Sequence, residues 1–466
     1  MFYSLKARCL ASVFSILFLA FLPINSHGQS TLGTAIQGYL YGLPMVLMGE
    51  TLEGFTGEER VCSLGTDINT FVNILDRPDT EFKAVVRPNV DTLYTSAMLD
   101  LTQGPQLMDM PAVSDRYVLM ALMDAWSNNF AGVGTQTHGD QPGRYIIIGP
   151  QWEGDIPEGY EPIYSPTNLV WIIGRTEVRG YDDIATVNSI QRQYQLQPYG
   201  YELPDSGIDG CVPDSEKTPP IEVVLSLSGK EYFTRLSDLM ARFPAPARDE
   251  NMIKRLARIG VGPLAKIKVD DLSAKQLRAL ERGVRIGRSS INLFKSALGA
   301  TGWGPNPAII PLGDYGKRYF IRALVAEIGF GANRGEFAVY QNANRDSKFK
   351  LLDGESDYVI TFKANRMPPV NGFWSFTVYG EDGFLTSNAA AEQLGLERYA
   401  IGSYDQLEYE ENGDLKLYLS TTPPEGVPLS NWLPTPQGKF QVTARYYDPD
   451  EPILKSRWKT PVIVKQ

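Results

Sequence analysis

Histidine and cysteine are scarce: two His (His27 and His138) and three Cys (Cys9, Cys62 and Cys211) stand in 466 residues. A histidine-rich metal site, a zinc ribbon and a c-type haem string each need more ligands than that. Positive charge is not in excess either. Lys and Arg number 44 against 54 Asp and Glu, a net charge of −10, which excludes a general nucleic-acid binder. No G-x-S-x-G elbow, phosphate-binding G-x-x-x-x-G-K-[ST] loop, H-E-x-x-H or C-x-x-C occurs, and Gly132-Val133-Gly134 lacks the third glycine of a dinucleotide fingerprint. Nothing in these residue types asks for a metal or a cofactor. No apolar run reaches the roughly 20 residues of a membrane span.

The longest such run, Leu10 to Ile24, follows Lys6 and Arg8 and precedes the small residues Ser26 and Gly28. That order is expected of a secretory signal over residues 1–28, with export to a periplasm or medium and no transmembrane segment in the mature chain. Without it the balance becomes 42 basic against 54 acidic, a net of −12, and Cys62, Cys211 and His138 are what remain of their kinds. In an oxidising compartment two leftover cysteines suggest a Cys62–Cys211 disulfide; two buried free thiols are the alternative.

The length is about three times a 150-residue domain prior, so several units are expected. From Gln37 to about Pro150, short β-branched or aromatic runs alternate with turn residues, as in Phe82–Val86, Tyr117–Met123 and Tyr145–Ile148, and this spacing favours a β-sandwich. Proline and glycine collect between Leu196 and Glu222 as a linker. Helical spacing then takes over, and three helices are expected between residues 229 and 300, broken at Pro244 with Pro246 and at Gly262-Pro263. This stretch holds 15 basic and 7 acidic residues, a net of +8. Such a segment either presents a cationic face to an anionic partner or docks on the protein's own acidic domains. After Trp303 the β signal returns to the end, and residues 439–447 (KFQVTARYY) alternate like a half-buried strand. The expected class is mainly β with a helical insert: residues 29–228 a sandwich with its linker, 229–300 the basic helices, 301–466 a jelly roll.

With His138 placed in the surface-type loop THGDQPG, proton transfer falls to carboxylates, tyrosines and cations. The densest polar cluster is Arg87-Pro88-Asn89-Val90-Asp91-Thr92-Leu93-Tyr94. Proline keeps Arg87 extended, and strand alternation places Asn89 and Asp91 on one face, where burial demands hydrogen bonds. A second cluster, Asp124-Ala125-Trp126-Ser127-Asn128-Asn129, ends the Tyr117–Met123 strand, and a third is Ser165-Pro166-Thr167-Asn168. Each is either a turn network or part of a site.

The stretches RPNVDTLYTSAMLDLTQGP, RYVLMALMDAWSNNFAGVGTQT and SPTNLVWIIGRTEV resemble the signature blocks of the DUF1254 domain. PPVNGFWSFTVYGEDGFL, RYAIGS and NWLPTPQGKFQVTARYY resemble those of the DUF1214 domain. The resemblance spans residues from about Gly38 to Val462 and implies an immunoglobulin-like sandwich, an inserted helical unit and a C-terminal jelly roll. The positions that match are Arg87, Asn89, Asp91, Tyr94, Asp124, Trp126, Asn168 and Arg175, then Asn371, Trp374, Arg398, Tyr399, Asn431 and Trp432. It carries no catalytic assignment.

The leading expectation is an exported protein that binds, and in one version processes, a carbohydrate or small polar ligand in a cleft between sandwich and jelly roll. Asp91 and Asp124 would serve as acid and base with Tyr94 beside them, in a hydrolase or lyase. Arg87, Asn89, Asn128, Asn168 and Asn371 would position the ligand, and Trp126, Trp374 or Trp432 would stack on it. The competing expectation is a non-catalytic protein that holds an anionic partner through its cationic helices and jelly-roll loops. Acidic loops at 353–357 and 448–451 leave calcium as a third option, without EF-hand spacing. The oligomeric state, a homodimer included, is not readable from the chain.

Overall fold

The computed structural model of the chain describes residues 30–466 other than 83–85, 204–206, 209, 299–301, 309 and 311, and of 296–298 the backbone alone. The leader expected over 1–28 lies outside the described residues, as does most of the strand expected over Phe82–Val86.

The protein is mainly β. The first sandwich comprises β1 (Val72–Asn73), β2 (Thr92–Asp100), β3 (Gln106–Met110), β4 (Val118–Asp124), β5 (Asn129–Gly134), β6 (Gly143–Ile148), β7 (Glu161–Tyr164), β8 (Leu169–Glu177) and β9 (Gln195–Pro198). They form a five-stranded sheet ordered β1-β2-β8-β4-β5 and a four-stranded sheet ordered β7-β6-β3-β9. Alternate residues of β2, β4 and β8, among them Leu99, Met120, Leu122 and Ile172, close the core between the two. The second sandwich comprises β10 (Ala338–Ala343), β11 (Tyr358–Phe362), β12 (Trp374–Gly380), β13 (Ala400–Gly402), β14 (Leu415–Ser420), β15 (Trp432–Pro434), β16 (Phe440–Tyr447) and β17 (Ile463–Lys465). Its sheets run β10-β16-β12-β13 and β15-β14-β11-β17.

A helical unit packs against the first sandwich, and here the sequence reading needs correction. The stretch from Gln37, read as β, opens with helix α1 (Thr31–Thr56), capped by the Ser30 side chain. It packs with α2 (Pro220–Ser226), α3 (Gly229–Arg242), α4 (Glu250–Ala257), α5 (Ala274–Leu298) and α6 (Tyr319–Gly329). Helix α6 likewise falls in a stretch read as β. Seventeen residues of α1, from every side of the helix, are buried. A helix surrounded by its neighbours carries apolar residues on all faces, so no 3.6-residue stripe marks it. Close approach sets the contact with α5: a Cβ at Gly283 would come within 2.5 Å of Ala35 Cβ and one at Gly287 within 2.3 Å of Tyr39. Helices α3, α4 and α5 match the three expected, and Ser273 with Gln276 caps α5.

The five-stranded sheet is buried on both faces. One end of its outer face, through Met98, Met123, Leu169 and Ile173, meets the helices. The other end, through Leu119 and Ala121, meets Phe337, Phe373 and Tyr447 of the second sandwich. Strand β16, expected to be half-buried, is covered on both sides, because its polar face lies against the first sandwich. Cys62 and Cys211 are joined by a disulfide that ties the segment after α1 to the linker.

Candidate functional site

Strand register separates the two carboxylates expected to act together. Thr92 of β2 pairs with Glu177 of β8, and Leu99 with Val170; Asp124 at the end of β4 also pairs with Val170. Asp91 therefore sits eight residues along β2 from the level of Asp124, roughly 25 Å at the rise of a β-strand. Carboxylates that share a hydrolytic step stand about 5–10 Å apart. The acid–base pair of Asp91 with Asp124 is not formed, and the sequence-predicted residues divide between the two ends of one sheet.

At the first end the side chains around Asp91 answer one another, although Arg175 Nε nearby has no partner among the described residues. The buried Asp91 carboxylate accepts from the hydroxyls of Ser375 (2.5 Å), Tyr404 (2.9 Å) and Tyr447 (3.3 Å), with Arg445 Nη1 at 3.9 Å. Asn89 accepts from the Asp91 amide (2.8 Å) and donates to Thr92 Oγ1 (2.9 Å) and the Tyr447 hydroxyl (3.0 Å). Arg445 donates to Thr377 Oγ1 and the Tyr379 hydroxyl, both at 2.6 Å, and to the Arg87 carbonyl at 3.2 Å. Arg87, expected to be held extended by Pro88, instead takes a left-handed conformation (φ 56°) and donates to Gln441 Oε1 (2.9 Å). Ser375 and Arg445 are paired neighbours on β12 and β16, so the polar alternation of those strands is the surface that clasps Asp91. The partners of the Asp91 carboxylate all belong to the second sandwich, and the network joins the two domains.

A cleft of about 450 Å³ opens beside this end, walled by Arg116, Tyr117 and Arg179 from one side and by Asn371, Phe373 and Tyr404 from the other. It is where an inter-domain ligand was expected, yet its charges are already matched. Arg116 pairs with Asp115 (2.8 Å) and Asp183 (2.7 Å), Arg179 with Glu177 (2.8 Å), and Asn371 donates to Asp450 (3.1 Å). Tyr94 lies under the guanidinium of the buried Arg175, 5.3 Å from its ring centroid. Two expected stacking platforms are core residues instead: Trp374 packs on Phe362 inside the second sandwich, and the fully buried Trp432 donates to Ser420 Oγ (3.0 Å). Asn168 donates to Gln151 Oε1 (2.9 Å) in the first sandwich. The neighbouring Thr167 hydroxyl accepts from Ala125 N (3.0 Å), so the third sequence cluster braces the second.

The second end is different. The loop after β4 folds around the buried Asp124 carboxylate, which accepts from the amides of Trp126 and Asn128 (both 2.9 Å), from Asn128 Nδ2 (2.9 Å) and from Arg248 Nη2 (3.1 Å). Ser127 takes a left-handed conformation to close the turn. Burial pushes the Asp124 carboxyl above the ordinary carboxylate range, while the Arg248 guanidinium pulls it back down. Over this loop the helical unit sets Tyr41 from α1, Arg248 and Asp249 just before α4, and Tyr319 and Arg322 from α6. Trp126 and Tyr41 have ring centroids 5.7 Å apart, and Tyr41 meets Tyr319 edge-on at 5.1 Å. The buried Arg322 guanidinium stands 5.2 Å from the Tyr41 ring and 5.1 Å from that of Tyr319, and donates to the Tyr41 carbonyl (3.2 Å). The Tyr319 hydroxyl donates to Asp249 Oδ1 (2.9 Å).

Six buried polar atoms in this cluster have no partner among the described residues: the Tyr41 hydroxyl, Trp126 Nε1, Asn128 Oδ1, Asp249 Oδ2, and Arg322 Nε and Nη1. A buried polar atom left unbonded costs about 1–3 kcal/mol, so six in one cluster call for bound water or a ligand to answer them. Four are donors and two are acceptors, which suits an acceptor-rich molecule. The aromatic rings of Trp126, Tyr41 and Tyr319 stand among them. Asp124, Trp126 and Asn128 were legible as candidates. Tyr41, Asp249, Tyr319 and Arg322 were missed, although a lone arginine inside the apolar run of α6 (YFIRALVAEIG) is the kind of signal that marks a buried charge with a task.

Residues 68–198 match the DUF1254 family model and residues 337–451 the DUF1214 family model, each described as a protein of unknown function. The six sequence blocks fall inside these two ranges. The VPA0106 protein of Vibrio parahaemolyticus, solved by crystallography, is similar over 94% of this chain and 100% of its own, at 22% identity and a TM-score of 0.70; that likeness supports the fold. An uncharacterised protein of Burkholderia cenocepacia aligns over 99% of this chain and 97% of its own at 10% identity, with a TM-score of 0.45 that carries no argument. No curated protein matches the chain.

Proposed function

We propose, for a chain that belongs to the proteins pairing a DUF1254 with a DUF1214 domain, that it is an exported binding protein for a small acceptor-rich polar molecule of the sugar-acid class. The ligand sits between the five-stranded sheet and the helical unit, not in the cleft beside Asp91. One observation carries this reading: at the Asp124 end six buried polar atoms from both units lack partners among the described residues, whereas the side chains around the Asp91 carboxylate bond to one another. A ligand carboxylate or hydroxyl accepts from Arg322, Trp126 Nε1 and the Tyr41 hydroxyl, a ligand hydroxyl donates to Asp249 and Asn128, and the rings of Trp126 and Tyr41 cover its C–H face. Arg248, 39% exposed at its side chain, reaches Asp124 from the solvent side and is the element that must swing for the ligand to pass. Export is supported by the leader-like residues 1–28 and by the disulfide, which belongs to oxidising compartments.

The test is a fluorescence titration that follows Trp126, with a Trp126→Phe control. The panel is glucuronate, galacturonate and their neutral parent sugars. A saturable change with an acid sugar, weakened at least about tenfold in Arg322→Gln, is the expected result. A folded protein that responds to none of the panel, or an Arg322→Gln variant that binds like the parent, overturns the reading.

A further inference from the structure

The cations of residues 229–300 do not all have the same fate. Six form ion pairs, four of them reaching out of the segment to the rest of the chain in Arg235–Glu50, Arg242–Asp100, Arg248–Asp124 and Lys295–Glu327. Arg288 caps the carbonyls of Val224 and Leu227, and Arg255 reaches Gln37. Seven others are exposed and, among the described residues, none meets a carboxylate. Arg258, Lys266 and Lys268 surround the loop between α4 and α5, and Lys275, Arg278, Arg282 and Arg285 follow along α5.

The last four recur at three- and four-residue spacing, so they form one stripe on the solvent side of α5. At the N-terminal end of that stripe the loop encloses a groove of about 290 Å³ floored by Leu272 and Gly260 and edged by Arg258 and Lys266. Beside it Leu264 and Ile267 are 57% and 53% exposed, two large aliphatic side chains standing in water among cations. The acidic residues of this face are few: Asp270 is taken by Lys230, Glu281 accepts from the Gly229 amide, and Asp271 remains.

We propose that this face docks the protein on an anionic phospholipid bilayer. The stripe of α5 lies along the headgroups, and Leu264 with Ile267 enters the boundary between headgroup and acyl chain. Each cation near an anionic surface adds to the attraction, and the aliphatic pair adds burial that a water-soluble polyanion does not offer. The groove is too small to seat a partner helix, whose diameter is about 10 Å. Among the described residues no helix is long and apolar enough to cross a membrane. This inference stands apart from the ligand reading and uses none of its residues.

The experiment is co-sedimentation of the mature chain with vesicles of phosphatidylcholine alone or with a quarter phosphatidylglycerol, at low and high salt. The bound fraction should be at least about tenfold higher on the anionic vesicles and should fall as salt shortens the Debye length. Lys275→Glu with Arg278→Glu and Arg282→Glu should abolish that preference. Leu264→Ser with Ile267→Ser should weaken binding several-fold and leave its salt dependence intact. Melting curves confirm that both surface variants are folded, and the salt series on the unaltered chain stands even if one is not. Equal binding to both vesicles, binding to neither, or charge-reversed protein that binds like the parent overturns the proposal. So does an aliphatic variant that keeps full affinity while soluble polygalacturonate competes, since the partner is then a polyanion.

Discussion

Tyr41→Phe isolates the physical claim on which the site rests. The Tyr41 ring stays between Trp126 and Tyr319, and only a fully buried hydroxyl without a protein partner is removed. In the ligand-free protein that hydroxyl is a burden of about 1–3 kcal/mol, so phenylalanine should stabilise by about 1–2 kcal/mol after a small loss of packing. At about 2–4 °C per kcal/mol, the transition of the unit that contains α1 should rise by a few degrees. Affinity should move the other way, because the hydroxyl donates to the ligand: loss of about 0.5–1.5 kcal/mol is a weakening of about two- to tenfold. Denaturant unfolding of the ligand-free variant and a titration of the same preparation give both readings. A variant that loses more than about 1 kcal/mol of stability has lost a bond inside the protein. That outcome, or unchanged affinity, refutes the reasoning.

Two further outcomes follow from the ends of the sheet. Asp91→Asn leaves Arg445 buried beside an uncharged amide, so urea unfolding should show a loss of about 3–5 kcal/mol, and limited proteolysis should cut first at the junction of the sandwiches; a loss below about 1 kcal/mol contradicts the joining role. Asp124 has a raised folded pKa, so the folded state holds that proton more tightly than the unfolded one. Its contribution is present at low pH and declines as pH rises from the ordinary carboxylate value through the folded one, and Asp124→Asn should remove this slope from the difference in unfolding free energy between pH 4 and 7. An unchanged slope counts against burial as the cause.

Much of this architecture could be read from spacing alone. Alternating runs at Tyr117–Met123 and Tyr145–Ile148 became β4 and β6, and the proline and glycine breaks divided α3, α4 and α5 where expected. What escaped was α1, because burial on every side erases the amphipathic stripe, and α6, whose run is short and equally apolar. The polar clusters were visible, but alternation assigns faces without saying which end of a strand meets which. Register, which needs the neighbouring strand, placed Asp91 and Asp124 apart. Apart from Trp126 and Asn128, the side chains gathered at the Asp124 loop, Tyr41 on one side and Arg248, Asp249, Tyr319 and Arg322 on the other, lie more than 70 residues away, distances at which sequence spacing is silent.

Helix α1 leads the described chain, yet the helices that enclose it begin only at Pro220 and end with α6 at Gly329. During synthesis or translocation it emerges well before any of its companions, and the whole first sandwich is threaded in between. A 26-residue rod without a polar side must therefore be shielded in the meantime, so assembly cannot proceed as a row of finished modules. Slow joining of distant segments follows from this chain order.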